Sequence, residues 1–305
     1  MHPAFSIIFF TVTSGAGFGL IALVGLGFPM PDGPVAAFLV CALAGVLAVA
    51  GLISSTLHLG HPERALYAFT QWRSSWLSRE GVLAVAAMLA FGPYALVWMV
   101  TGTRFAPLGW LAALLATATV FATAMIYAQL RTVASWHTWL TPATYLAFAI
   151  ASSLALAAAL SPADALAGFP LPALVALALI VAWATKFVWW RRAAALEPTT
   201  DGSDAASATG LGAAGTVRLL ESPHTGDNYL TNEMVHRIAR KHAARLKLIA
   251  GIVGLAVPLA LALAGTGGLP GALWVAAVFI LAGLFVERWL FFAEARHAIS
   301  AYYGA

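Results

Sequence analysis

Among the 305 residues of this chain, His58 and Glu80 are the two best placed by type and position to move protons at a membrane surface. His58 stands where a long apolar run gives out, in "SSTLHLGHPERAL", and Glu80 where the next one begins, in "SSWLSREG". Histidine titrates near neutrality unaided, and a carboxylate in partly dry surroundings can be tuned toward the same range. Such a pair, at similar depth on adjacent helices, could hydrogen-bond the two oxygens of a quinone and exchange protons with it. On spacing alone a plainer reading stands ahead of it: His58 as an interfacial helix end, and Glu80 with Arg79 as a solvated helix start.

The elements around the pair are legible too. Pro62 suits the first turn of a helix, and from it Leu66, Phe69, Trp72, Arg73 and Trp76 recur at spacings of three and four. The pattern predicts an amphipathic, tryptophan-bearing helix in the interface plane, so that segment 58–79 forms a lid over His58 and Glu80. In the first apolar run, the small residues of "TVTSGAGFG" would let a flat ring or a neighbouring helix approach closely. The candidate quinone-binding set is therefore His58, Glu80, Arg79, Trp76, Ser14 and Gly15. His61, nearer water, is assigned to the turn, and His137 in "SWHTWLTP" to the interface beside its tryptophans.

Composition demands a membrane around these residues. The chain is 61% hydrophobic and 9% charged, with a mean hydropathy of +0.87, whereas soluble domains carry about a quarter charged residues. Runs long enough to span a bilayer lie near 5–28, 35–57, 80–101, 108–131, 142–160, 171–191, 246–266 and 271–293. The predicted fold is an all-α integral membrane protein of eight transmembrane helices, a single membrane domain over 1–305. The N-terminal "MHPAFSIIFF" has no basic, cleavable leader pattern and is read as the start of a retained helix. Cys41 is read as a small lipid- or helix-facing residue.

With eight spans, both termini and the loops at 58–80, 131–142 and 192–245 share one side. Of the 16 Lys and Arg residues, all but Arg104 fall there. The positive-inside rule makes that side cytoplasmic, N-in and C-in. The loop 192–245 opens with a Gly- and Ser-rich tether, "PTTDGSDAASATGLGAAG". A basic segment follows, with a helix expected from Asn232 to Lys247. That segment could lie on anionic headgroups or dock a soluble subunit. The docking candidates are Arg64, Arg73, His224, Tyr229, Arg237, Arg240 and Lys241.

The eight histidines, His2, His58, His61, His137, His224, His236, His242 and His297, all avoid the middle of a span, so no haem is expected. No acidic or basic side chain is expected at mid-span either, which opposes a small-molecule transporter. No nucleic-acid partner is expected.

"HPAFSIIFFTVTSGAGFG", "SSTLHLGHPERALYAFTQWRSSWLSREG" and "ERWLFFAEARH" with "YYG" resemble the membrane-anchor subunits of the dimethyl sulfoxide reductase type. They resemble most the branch serving cytoplasmic sulfite:quinone oxidoreductases, as does "SPHTGDNYLTNEMVHRIARKHAARLK". The resemblance covers essentially all the spans. It implies a haem-free anchor in the bacterial inner membrane, inactive alone, in a three-subunit complex. The partners would be a molybdopterin catalytic subunit and a four-cluster iron–sulfur subunit, and the cofactor a ubiquinone or menaquinone. In the family the histidine of "LHLG" and the glutamate after the next loop are associated with quinol binding, matching His58 and Glu80. The same resemblance leaves open the quinol-oxidising direction of a dimethyl sulfoxide-type reductase.

Overall fold

Among the described residues of the computed structural model, eight helices are long and apolar enough to cross a membrane. The structure describes residues 4–29, 31, 33–57, 61–161, 165–166, 168–196, 205–218, 220–221, 237–269, 271–295 and 297–298. The spans are α1 (Phe5–Gly25), α2 (Pro34–Thr56), α3 (Trp76–Thr101), α4 (Ala106–Ala128), α5 (Leu140–Leu160) and α6 (Leu171–Ala195), then a seventh over His242–Thr266 and an eighth over Ala272–Ala293. A helix satisfies its own backbone hydrogen bonds, which hydrocarbon cannot do for it. Outside the spans, β1 (Ala165–Leu166) and β2 (Phe169–Pro170) pair antiparallel, and α7 (Ala205–Thr209) is a single turn.

The seventh span is composite. Helix α8 (Arg237–Gly251) runs into a π-turn over Ile252–Ala256 and on into α9 (Val257–Thr266); the eighth span is α10 (Ala272–Ala293). Within the π-turn, Gly254 lies so close to Gly283 of α10 that a Cβ on Gly283 would strike the Gly254 backbone, while one on Gly254 would strike the Trp183 ring. The Trp183 indole N–H of α6 donates to the Gly254 carbonyl at 2.8 Å.

Small residues decide the packing. Helix α1 sits among α2, α4, α5 and α10. A Cβ on Gly17 would collide with the α2 backbone at Ala48, and one on Gly51 with Ser14. Lipid tails are as apolar as the helices, so close van der Waals fit holds the bundle together. Large apolar side chains such as Phe38, Leu89, Leu114 and Ile150 point outward. Cys41 is buried against neighbouring helices.

The span boundaries differ from those expected by a few residues, and two differences bear on function. The lid is not one helix reaching Trp76. A 3₁₀ helix covers Pro62–Phe69 and turns follow to Ser74. Ser75, with extended backbone, then caps α3 by accepting the Ser78 N–H at 3.5 Å. Trp76 therefore belongs to a spanning helix. The basic helix expected from Asn232 is, from Arg237 onward, continuous with the seventh span; residues 232–236 lie outside the described set.

Candidate functional site

Glu80 is the fifth residue of α3 and is buried, 4% exposed, at the end of the bundle richest in basic residues. The Thr123 hydroxyl of α4 lies 2.5 Å from Glu80 Oε1 and 3.0 Å from the Thr119 carbonyl. This arrangement accommodates either protonation state. An ionised Glu80 accepts from Thr123, while a protonated one donates to it and the threonine hydrogen turns to Thr119.

The lid rests on this end of α3. Gly81 leaves room for the Phe69 ring, which a Cβ there would meet at 3.1 Å. Arg79 donates through Nε to the Trp72 carbonyl at 3.0 Å and through Nη2 to the Arg73 carbonyl at 2.6 Å. Its guanidinium also covers the Trp76 ring at 4.4 Å. Arg79 thus ties the lid to α3, and Trp76 packs edge-on to Phe121 of α4. His58 lies outside the described residues, one position beyond Leu57, the exposed C-cap of α2. His61 pairs with Glu63 at 2.8 Å in the exposed turn, as its place near water suggested. The imidazole Nδ1 of His137 meets the Ala128 carbonyl at 2.7 Å.

Ser14 and Gly15 sit elsewhere than beside the lid. They line a partly open cavity of about 20 Å³ between α1, α4, α5 and α10, which Thr123, Tyr145 and Arg288 also line. Ser14 is buried and donates to the Phe10 carbonyl at 2.6 Å. Across this cavity from Thr123 stands a charged cluster. Lys186 Nζ of α6 lies 2.5 Å from Glu287 Oε1, and Arg288 Nε lies 2.5 Å from Glu287 Oε2. Lys186 and Glu287 are fully buried and Arg288 is 3% exposed.

This cluster lies within two spans, past the middle of each on the side of the basic rim. Lys186 and Glu287 are each the sixteenth residue of their helices, α6 and α10. The signal was present in "WATKFVWW" and "LFVERWLFF": ionisable residues between aromatics in a spanning run are expensive and mark function by default. What could not be read was that residues 186 and 287 meet.

Aromatic side chains seal the cluster. Lys186 Nζ lies 3.8 Å above Trp189, and Arg288 lies 4.0 Å above Tyr145. The indole of Trp136, in the loop between α4 and α5, donates to the Phe291 carbonyl at 3.1 Å. Arg288 Nη1 and Nη2 and the Tyr145 hydroxyl lack well-aligned hydrogen bonds among the described residues.

Of the docking candidates, Arg64 and Arg73 are exposed on the lid. Arg237, Arg240 and Lys241 lie on α8, while His224 and Tyr229 are outside the described residues.

A family model described as the DMSO reductase anchor subunit (DmsC) matches residues 1–293. The chain is 34% identical, over 331 aligned positions covering 99% of each chain, to a sulfite dehydrogenase subunit of Allochromatium vinosum. No solved structure matches.

Proposed function

The chain belongs to the DMSO reductase anchor subunit family, and from that premise we propose that it binds quinone beside His58 and Glu80 and couples it to a docked iron–sulfur subunit. The observation that carries this reading is the buried Glu80 carboxyl, paired with Thr123 at the edge of the bundle beneath a lid that Arg79 holds on α3. An unpaired carboxylate at that depth is costly, and proton exchange gives it a use. A quinone supplies a two-electron acceptor that takes up two protons on reduction.

The fit is chemical as well as positional. Glu80 holds a proton that Thr123 can follow, and the rings of Phe69 and Trp76 keep water from the flank of the site. His58, at the end of α2, provides the second protonatable group. Arg79 acts on the substrate only indirectly, because its donors are committed to the lid carbonyls.

The relative's name favours sulfite as the electron source. Electrons then run from a molybdopterin subunit through a four-cluster iron–sulfur subunit to the quinone. The basic rim faces the cytoplasm of a bacterial cell, with both termini on that side. The soluble subunits dock against Arg64, Arg73 and the segment from His224 to Lys241. The buried cluster removes the charge-based objection to a transporter, and the family match takes its place.

In membranes carrying the whole complex, Glu80→Gln and His58→Ala are expected to abolish quinone-coupled turnover while artificial-acceptor activity persists. Unchanged quinone turnover would sink the site. Deleting residues 223–236 is expected to release the soluble subunits into the supernatant; their retention would remove that segment from the docking surface.

A further inference from the structure

The phase of α3 decides which side of the bundle the lid lies on. Successive helical residues turn by about 100°, so Ser78 stands nearly opposite Glu80 around the helix. Glu80 shares its side with Ala84, Ala87, Phe91, Tyr94 and Trp98, all buried in the bundle. Ser78 shares the outward side with Val82, Val85, Leu89, Leu96 and Val100, all exposed. On that outward side Ser78 is nevertheless buried, at 1% exposed.

The lid is what lies over it. The Phe69 ring rests against Gly81 on one flank of Ser78, and the carbonyls of Trp72 and Arg73 meet Arg79 on the other. Residues 69–73 therefore cross the outer side of α3, around the turn that carries Glu80. The crossing leaves the Ser78 hydroxyl buried with no hydrogen-bond partner among the described residues, which costs free energy. The lid's own contacts do little to offset that cost, because its large side chains point away. Leu66 is 78% exposed, Tyr67 70% and Trp72 53%.

We propose that the lid is a membrane-surface segment whose partner is the lipid bilayer, with Leu66, Tyr67 and Trp72 seated at the boundary between headgroups and acyl chains. Continuity identifies the occupant. The lid joins the ends of two spans, α2 and α3, and it crosses α3 on the side whose outward row runs on from Val82 to Val100 into the hydrocarbon. Leucine, tyrosine and tryptophan beside arginine suit that boundary layer. Trp72 carries the Arg73 guanidinium over its ring at 5.6 Å. The long stems of Arg64 and Arg73 let their charges reach the water side, so this seating leaves them to the soluble subunits. Contact with lipid, in place of a bond to Ser78, then holds the lid shut. The seating stands apart from the quinone reading, since it fixes where the lid lies and not what Glu80 does.

Spin labels on the full-length chain test it. In a Cys41→Ala background, a nitroxide is attached at Leu66→Cys or Trp72→Cys, exposed positions whose change leaves the bundle packing alone. The chain is placed in vesicles of phosphatidylethanolamine and phosphatidylglycerol. Leu89→Cys serves as the lipid reference, and Ala213→Cys, in an exposed loop, as the water reference. Both lid labels are expected to be open to oxygen, which concentrates in lipid. Their access to a water-borne nickel chelate is expected to be several-fold below that at Ala213, with or without the soluble subunits. Free nickel access in the chain alone overturns the seating, and if the soluble subunits then remove it, the face is theirs. Closure to both reagents also overturns it, in favour of a second copy if dilution with unlabelled chain reopens the label. No turnover enters these measurements, so their failure is distinct from full quinone turnover in Glu80→Gln, which overturns the quinone reading.

Discussion

At the end of the bundle away from the basic rim, Arg104 donates to the carbonyls of Gly27 at 2.7 Å and Pro29 at 2.8 Å, and it lies 3.8 Å above Trp98. Burial lowers its pKa from the ordinary arginine value, but its donors have backbone acceptors that cannot titrate. Arg288, near the other end, is bound through one nitrogen to a carboxylate that can, and its remaining donors are buried without a well-aligned acceptor among the described residues. The same side chain thus closes a loop in one place and sits in a buried charge cluster in the other. What distinguishes them is whether the partners can change charge, since both arginines are sheltered and both lie over an aromatic ring.

The comparison makes graded predictions. The largest effect belongs to Glu80→Gln, which should cost about a hundredfold to ten-thousandfold in quinone-coupled turnover, the range for a lost acid–base group. Glu287→Gln follows: it leaves Lys186 and Arg288 buried without a counter-charge, which costs about 3–5 kcal/mol. Thermal unfolding in detergent should register that loss, and a variant as stable as the parent would mean that the cluster is hydrated. Arg104→Gln should cost less, about 1–3 kcal/mol from its charged hydrogen bonds, and leave quinone turnover per assembled complex unchanged. A turnover defect in stable Arg104→Gln complexes would erase the contrast between the two ends.

The spans were legible because a bilayer imposes a length and a polarity that single runs of sequence must meet alone. Glu80 was legible for a related reason: it breaks that rule at a helix start, next to tryptophans and arginines. The lid was half legible. Its aromatic spacing was real, but Ser75 restarts the helix and gives Trp76 to α3, a local cap outweighing the longer periodicity. Ser14 and Gly15 were noted for their size, which does explain the close contact of Ser14 with Gly51, but size does not say which cavity they face. The cluster was hidden because its meaning lies in a contact between α6 and α10. Lys186 alone resembles a snorkelling lysine, and Glu287 with Arg288 resembles a helix-end pair.

The π-turn at Ile252–Ala256 ties the membrane interior to the basic segment outside it. Ala250, Gly254, Pro258 and Ala262 are all buried, a repeat of four residues. In a regular helix of 3.6 residues per turn, that repeat would drift by roughly 120° over its length. The wide turn absorbs much of the drift, so one stripe keeps facing the interior through both halves of the span. The phase of α8 is therefore set inside the bilayer. Losing one residue from the turn would swing α8, Lys247 included, by roughly 100° about its axis, away from Glu294 at the end of α10. A deletion invisible to hydropathy would thereby re-aim the basic face of α8.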